Sequence, residues 1–461
     1  MTQEKQDFLG TEPVGKLLVR LAVPAVAAQL VNMLYNIVDR IYIGHIEGVG
    51  ALALTGVGVC LPIIMVVSAF AALVSMGGAP RASIFMGQGK TASAEKTLGN
   101  CFTLQLCISA VLTAVLLMFN RPLLLSFGAS ANTIEYAVSY MSIYAIGTVF
   151  VQLTLGMNAF ITAQGFASIG MKTVLLGAVC NIILDPIFIF GFKMGVQGAA
   201  LATILSQGVS TVWVLLFLTG KKTRLRLTRK NLGLSPKVIG PCVALGLAPF
   251  IMQSTESIIS VCFNSSLLRY GGDIAVGAMT ILSSVMQFAM LPMQGIAQGA
   301  QPITSYNYGA KNAARVKQTF FLLLKACLCY SGLLWLVIQL APGLFASIFT
   351  SDAALIAFTG PALRIYCGGL LLMGAQIACQ MTFISLGKAK ESIIVAIMRK
   401  FVLLLPLIYL LPRLMENKTA AVYTAEPIAD ILAIIFTCVL FAWQFKKSLH
   451  ALSAPAQPVA E

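Results

Sequence analysis

The chain has 461 residues, 58% of them hydrophobic and only 10% charged. Many apolar runs exceed the ~18 residues that a bilayer core demands of a helix, and a soluble core would not need so many separate runs. They are continuous rather than alternating with period two, which excludes a β-barrel. The formal net charge of +15 is spread over short loops as in a membrane protein, with no soluble basic domain to hold nucleic acid.

In chain order, a polar stretch from Met1 to Lys16 leads into an apolar run of more than 25 residues. No short apolar core with a small-residue cleavage site precedes it, so no signal peptide is expected. Twelve spans follow, at roughly 17–43, 50–75, 98–119, 134–156, 165–190, 196–219, 238–267, 275–300, 318–341, 357–382, 393–412 and 420–444. An even count puts both termini on one side. Lys16, Arg20, Arg81, Lys90, Lys96, Lys172, the cluster from Lys221 to Lys237, Lys311, Arg315, Lys388, Arg399, Lys400 and Lys446 all fall on that side. Such a bias places it in the cytoplasm. The expected division is an amino-terminal six-helix lobe over 1–219, a basic cytoplasmic linker over 220–237, a carboxyl-terminal six-helix lobe over 238–446 and a disordered tail over 447–461. The linker, Lys221 through Lys230, is expected to be solvated and to touch anionic lipid heads.

The halves resemble each other. Pro24 aligns with Pro249, and the Ala51–Thr55 stretch with Val276–Thr280, both at an offset of 225 residues. Gly87 to Lys96 matches Tyr308 to Lys317 at an offset of 221, and Gly198-Ala199-Ala200 matches Thr419-Ala420-Ala421 at the same offset. With six spans per half, duplication gives parallel repeats about an axis along the membrane normal. The fold class expected is an all-α polytopic membrane protein with 12 transmembrane helices in two parallel six-helix repeats.

Polar residues inside the spans carry the functional signal. Asn181 and Asp185 are four residues apart and share a helix face; Pro186 follows and removes a backbone donor, so a bend is expected there. Intramembrane carboxylates are costly and mark ion or proton paths. Asp39, Asn181, Asp185 and Thr203 all lie in the outer part of the first half. Two carboxylates, an amide oxygen and a hydroxyl suit Na⁺ or a transferable proton. The structural alternatives are an Asp39 charge paired with Arg40 or snorkelling to the outer interface, and a helix–helix hydrogen bond at Asp185. In the second half Glu256 lies deep in span seven. Glu426 and Asp430 sit four apart in span twelve, as a second cation site, a patch for cationic substrate or a structural network. Gln29, Asn36, Gln253, Glu256, Met279 and Gln287 are the candidate substrate-cavity residues, since amides and adaptable methionines suit varied ligands. The glycines of Gly77-Gly78-Ala79 and Gly368-Gly369 are expected at close helix contacts. The 11 cysteines form no CxxC or zinc pattern, and the two histidines lie at span edges. No phosphate-binding loop is present, so ATP is not the expected energy source, and no cofactor is expected.

Three features together resemble the multidrug and toxic compound extrusion (MATE) family, in its bacterial multidrug efflux branch. They are Leu34 to Gly44, the Asn181–Asp185 segment, and the basic loop dividing six spans from six. The resemblance implies two six-helix lobes around a cleft that opens alternately to either side. It also implies a cation or proton site at Asp39, Asn181, Asp185 and Thr203. Glu256 resembles a carboxyl-lobe carboxylate that some members use for Na⁺ with an aspartate in span ten, where this chain has only Gln376 and Gln380. The function implied is secondary active multidrug efflux, exchanging Na⁺ or H⁺ for amphipathic, often cationic organic compounds. The expected setting is a bacterial inner membrane, and the expected partners are small organic substrates and membrane lipids. One chain already supplies both halves of a transport unit, so a functional monomer and no enzymatic activity are expected. The alternative is a flippase for a lipid-linked oligosaccharide or polyprenyl lipid, which would be expected to line its cavity with arginine or lysine; few basic residues are expected mid-span here.

Overall fold

The computed structural model describes residues 8–453, which form helices joined by short loops. The spans of the first half are α1 (Val14–Gly44), α2 (Gly50–Gly87), α3 (Thr91–Ser126), α4 (Ile134–Ile146 with Thr148–Ala163), α5 (Ala167–Gly191) and α6 (Val196–Thr219). Those of the second half are α7 (236–271), α8 (273–309), α9 (Ala313–Leu340), α10 (Ala353–Ser385), α11 (Ala389–Leu414) and α12 (Lys418–Ser453). Helices α7 and α8 run end to end over 74 residues, about 110 Å of ideal helix and far more than one bilayer needs. The run is broken at Gly272, whose φ of 66° and ψ of −165° are essentially glycine-only. Counting it as two spans, and the bent α4 as one, twelve apolar helices stand among the described residues. The chain is an all-α polytopic membrane protein.

The backbone repeats itself. Left-handed residues recur at Gly89 (φ 73°) and Lys311 (φ 58°), and at Gly165 (φ 89°) and Gly387 (φ 71°), each pair 222 residues apart. The fourth span of each half is interrupted at a glycine. In α4 the two segments meet at 56° around Gly147; in α10 a 3₁₀ turn at Cys367–Gly369 separates two α segments. Gly147 and Gly368 are 221 residues apart, the offset of the sequence matches.

Packing divides the described residues into two units. One is Val23–Ser254; the other joins 8–22 to 255–453. Packing groups the start of α1 with the carboxyl-terminal unit and residues 220–254 with the amino-terminal one. Helix α12 continues to Ser453, so the first residues of the expected disordered tail are helical, and 454–461 lie outside the described residues.

In the amino-terminal unit, Ile43, Val57, Ile63, Met141, Tyr144 and Ile189 form one core cluster. Leu98, Met157, Phe160, Val214 and Leu225 form another. Helices α2 and α7 meet backbone to backbone. A Cβ on Gly77 would strike the Cys242 carbonyl, and one on Gly246 would strike that of Leu73. Gly78 lies under Cys101 and Phe160, so the expected close contacts at Gly77-Gly78 are present. Gly77→Val is expected to destabilise the protein by several kcal/mol, since neither backbone can yield. A melting temperature in detergent equal to wild type would contradict this.

The basic linker is held down rather than loose. The Gln164 Oε1 carbonyl accepts hydrogen bonds from Thr223 Oγ1, Arg224 N and Leu225 N at 2.7–2.9 Å. Leu225 is fully buried, and the Glu95 carboxylate accepts from Arg226 N at 3.0 Å. Lys221, Lys222, Arg229 and Lys230 remain exposed.

In the carboxyl-terminal unit, Phe320, Phe383, Phe441 and Phe445 pack as an aromatic core joining α9, α10 and α12. The short helix Phe8–Thr11 is tied to this unit by Asn307 Nδ2, which donates to Leu9 O at 2.9 Å. Arg315 donates to Leu9 O at 3.0 Å and to Glu12 O at 2.7 Å.

Candidate functional site

Each unit buries a group of charged residues, and the two groups are built differently. In the amino-terminal unit, the small residues Gly177 and Ser210 let α5 approach α6. Asp185 on α5 is 0% exposed and Asn181 is 2% exposed. Asn181 Nδ2 donates to Asp185 Oδ1 at 3.3 Å, the one-turn contact that their spacing predicts. Helix α5 does not stop at Pro186; it continues as a π-helix over Ile187–Gly191. The wider turn accommodates the donor that proline lacks, and such turns recur at functional sites.

Asp39 and Asp185 are near enough for their carboxyls to interact directly. Thr203 Oγ1 donates to Ala199 O at 3.0 Å, and its side chain also meets the Tyr140 hydroxyl. The four predicted residues thus belong to one unit, and Asp185 meets both Asn181 and Asp39. Asp39 Oδ1, Asp185 Oδ2 and Asn181 Oδ1 are buried with no hydrogen-bond partner among the described residues. Buried oxygens of this kind require an explanation, and a bound cation or a proton on a carboxyl supplies one. Tyrosines that the sequence did not single out complete the surroundings. Tyr140, 4% exposed, lies beside Thr203 and Asp39 and stacks on Tyr144 at 6.3 Å; Tyr35 lies near both carboxyls. Tyr35 was legible as one turn before Asp39; Tyr140 was not, because α4 brings it from far along the chain.

The carboxyl-terminal unit corrects the sequence reading. Arg399 and Lys400, expected at the cytoplasmic face, are buried in α11, within a π-helical stretch over Met398–Leu404. They lie about 15 Å along α11 from Ala389. These two cations therefore lie mid-span and not at the cytoplasmic face where they were expected. Arg399 Nε donates to Asp430 Oδ1 at 2.8 Å, and Arg399 Nη2 lies 3.4 Å from Glu426 Oε1. Lys400 Nζ donates to Glu256 Oε2 at 2.7 Å. Charges at this depth cost about 2.5–3.5 kcal/mol each on insertion scales, so the cations persist because α7 and α12 bring carboxylates to them. Glu256, resembling a Na⁺ ligand, is thus already paired with the Lys400 ammonium.

The remaining substrate-cavity candidates are divided between the two units, Gln29, Asn36 and Gln253 in one and Met279 and Gln287 in the other. Gln29 and Asn36 lie on α1, where Asn36 Nδ2 donates to Asn32 O at 2.6 Å. Gln253 on α7 and Gln287 on α8 are exposed. Met279 is 4% exposed in the carboxyl-terminal unit. A groove of about 300 Å³ on the outside of α5 and α6, lined by Lys172, Leu175, Leu176, Val179 and Trp213, holds none of these residues.

The chain is similar over nearly its whole length to proteins of known kind. It is 24% identical to the multidrug export protein MepA of Staphylococcus haemolyticus over 440 residues, covering 94% of this chain and 95% of that one. It is 24% identical to MepA of Staphylococcus aureus strain N315, covering 95% and 97%. A solved structure of MATE in the bent conformation superposes with a TM-score of 0.91 at 24% identity, covering 98% of this chain and all of that one. An outward-facing MATE family multidrug resistance transporter superposes with a TM-score of 0.90 at 24% identity, covering 99% and 100%. The MatE family profile matches residues 24–187 and 249–410, one stretch in each half, and the chain belongs to that family.

Proposed function

We propose that the protein is a secondary active multidrug exporter, not an enzyme, which exchanges Na⁺ or H⁺ for amphipathic organic cations by alternating access. It is proposed to act as a monomer in a bacterial inner membrane with both termini cytoplasmic. The observation that carries the ion half of this reading is the set of unpartnered buried oxygens on Asp39, Asn181 and Asp185. Those groups, with Thr203, offer hard oxygen ligands to Na⁺, while either carboxyl can carry a proton. The similarity to the multidrug export protein MepA supports multidrug export.

The coupling ion drives the cycle only through different affinity for the two conformers, since equal affinity shifts nothing. Binding beside Asp185 favours one arrangement of α1, α5 and α6, and release favours the other. The mid-span Arg399 and Lys400 bear on the flippase alternative. Both are already ion-paired to acidic side chains, so they are not free to receive a pyrophosphate.

The test is uptake of a fluorescent cationic dye into inverted membrane vesicles under an imposed Na⁺ or H⁺ gradient. Uptake under one gradient and not the other names the ion. No uptake under either gradient, from well-folded protein, overturns exchange and favours a lipid substrate.

A further inference from the structure

The charge cluster of the carboxyl-terminal unit, whose acid Glu256 is exposed, is one positive charge short. It holds three carboxylates, Glu256, Glu426 and Asp430, against two cations, Arg399 and Lys400. The two cations are not equivalent. Arg399, with a side chain 9% exposed, is held by two buried acids, Glu426 and Asp430, at 7% and 1% exposure. A planar guanidinium gripped on two sides has little freedom. Lys400 is 5% exposed but makes its ion pair with Glu256, whose side chain is 58% exposed. An ammonium on a flexible stem can change partners, and a second carboxylate lies within range of its charge, that of Glu426. Glu256, Ser260 and Asn264 recur at every fourth residue of α7 and so share a face, which gives the carboxylate a polar approach.

We propose that Lys400 is a tethered competitor for the carboxylate that receives a cationic substrate: an organic cation pairs with Glu256, and Lys400 turns inward to Glu426. Three cations then balance three carboxylates. Lys400 keeps Glu256 from standing unpaired in the membrane when no substrate is present, and weakens binding enough to permit release. A neutral compound gains nothing from the exchange, so the device selects for positive charge. This rests on the proposal that the substrates are organic cations.

The test is equilibrium binding of tetraphenylphosphonium to the purified full-length protein in detergent, with triphenylphosphine oxide as its neutral counterpart. Lys400→Gln removes the competitor and is expected to tighten tetraphenylphosphonium binding about tenfold while leaving the neutral compound unchanged. Lys400→Arg grips Glu256 with a fork and is expected to weaken it. Glu256→Gln is expected to weaken it about tenfold or more, and Glu426→Gln, which removes the refuge of Lys400, to weaken it as well. Unchanged or weaker binding by a folded Lys400→Gln variant overturns the proposal. If that variant does not fold, unchanged binding by Glu256→Gln or by Lys400→Arg overturns it, and losses in both support it. Wild-type protein that binds tetraphenylphosphonium with no response to these substitutions leaves the exporter reading standing. Wild-type protein that does not bind it at all overturns both.

Discussion

Replacing Asp185 with asparagine is expected to reduce gradient-driven dye uptake to background, a loss of at least about tenfold, while the protein still folds and reaches the membrane. The substitution keeps size and a hydrogen-bonding oxygen beside Asn181. It removes the charge that would attract Na⁺ and the group that would carry a proton. Because Asp185 is fully buried and its Oδ2 lacks a hydrogen-bond partner, neutralising it costs no ion pair within the described residues. Stability is therefore expected to hold or rise, which separates a transport defect from misfolding. Asp39→Asn should behave in the same way, since its Oδ1 is also buried without a partner. Because the two carboxyls interact, the double variant should lose no more than either single one. Measured in inverted vesicles at matched protein levels, normal uptake by either variant would mean that the coupling ion binds elsewhere.

Arg399→Leu is expected to cost about 3–5 kcal/mol, the usual result of stripping one partner from a buried ion pair. It would leave Asp430 and Glu426 facing each other across one helical turn of α12 with no guanidinium between them. The cost arises from the stranded acids rather than from the lost attraction, so removing their charge should recover most of it. The combination of Arg399→Leu with Glu426→Gln and Asp430→Asn is expected to melt close to wild type, and Arg399→Leu alone well below it. Detergent melting curves of the two proteins decide the matter. Equal melting of Arg399→Leu and wild type would show that the acids are neutralised by other means. The expected contrast with Asp185→Asn follows from pairing: Asp185 is buried with no ion pair among the described residues, whereas each buried cation of the carboxyl-terminal unit is paired with an acid.

Much of this organisation is local and so was visible in the residues alone. Apolar runs long enough to cross a bilayer gave the spans, because a helix satisfies its own backbone and needs no distant partner to be recognised. The duplication showed in matched stretches at offsets near 222, and the structure repeats it in the left-handed residues Gly165 and Gly387. The Asn181–Asp185 contact followed from one helical turn. What the tertiary structure alone decided is which charges meet. The sequence placed Arg399 and Lys400 in the cytoplasm because, at the start of an apolar run, buried and flanking cations look the same. Hydropathy prices a charge as though it were alone. The real cost depends on partners from other helices, and here α7 supplies Glu256 while α12 supplies Glu426 and Asp430. The packing of the end of α1 against α5, which joins Asp39 to Asp185 across 146 residues of sequence, was likewise beyond any local pattern.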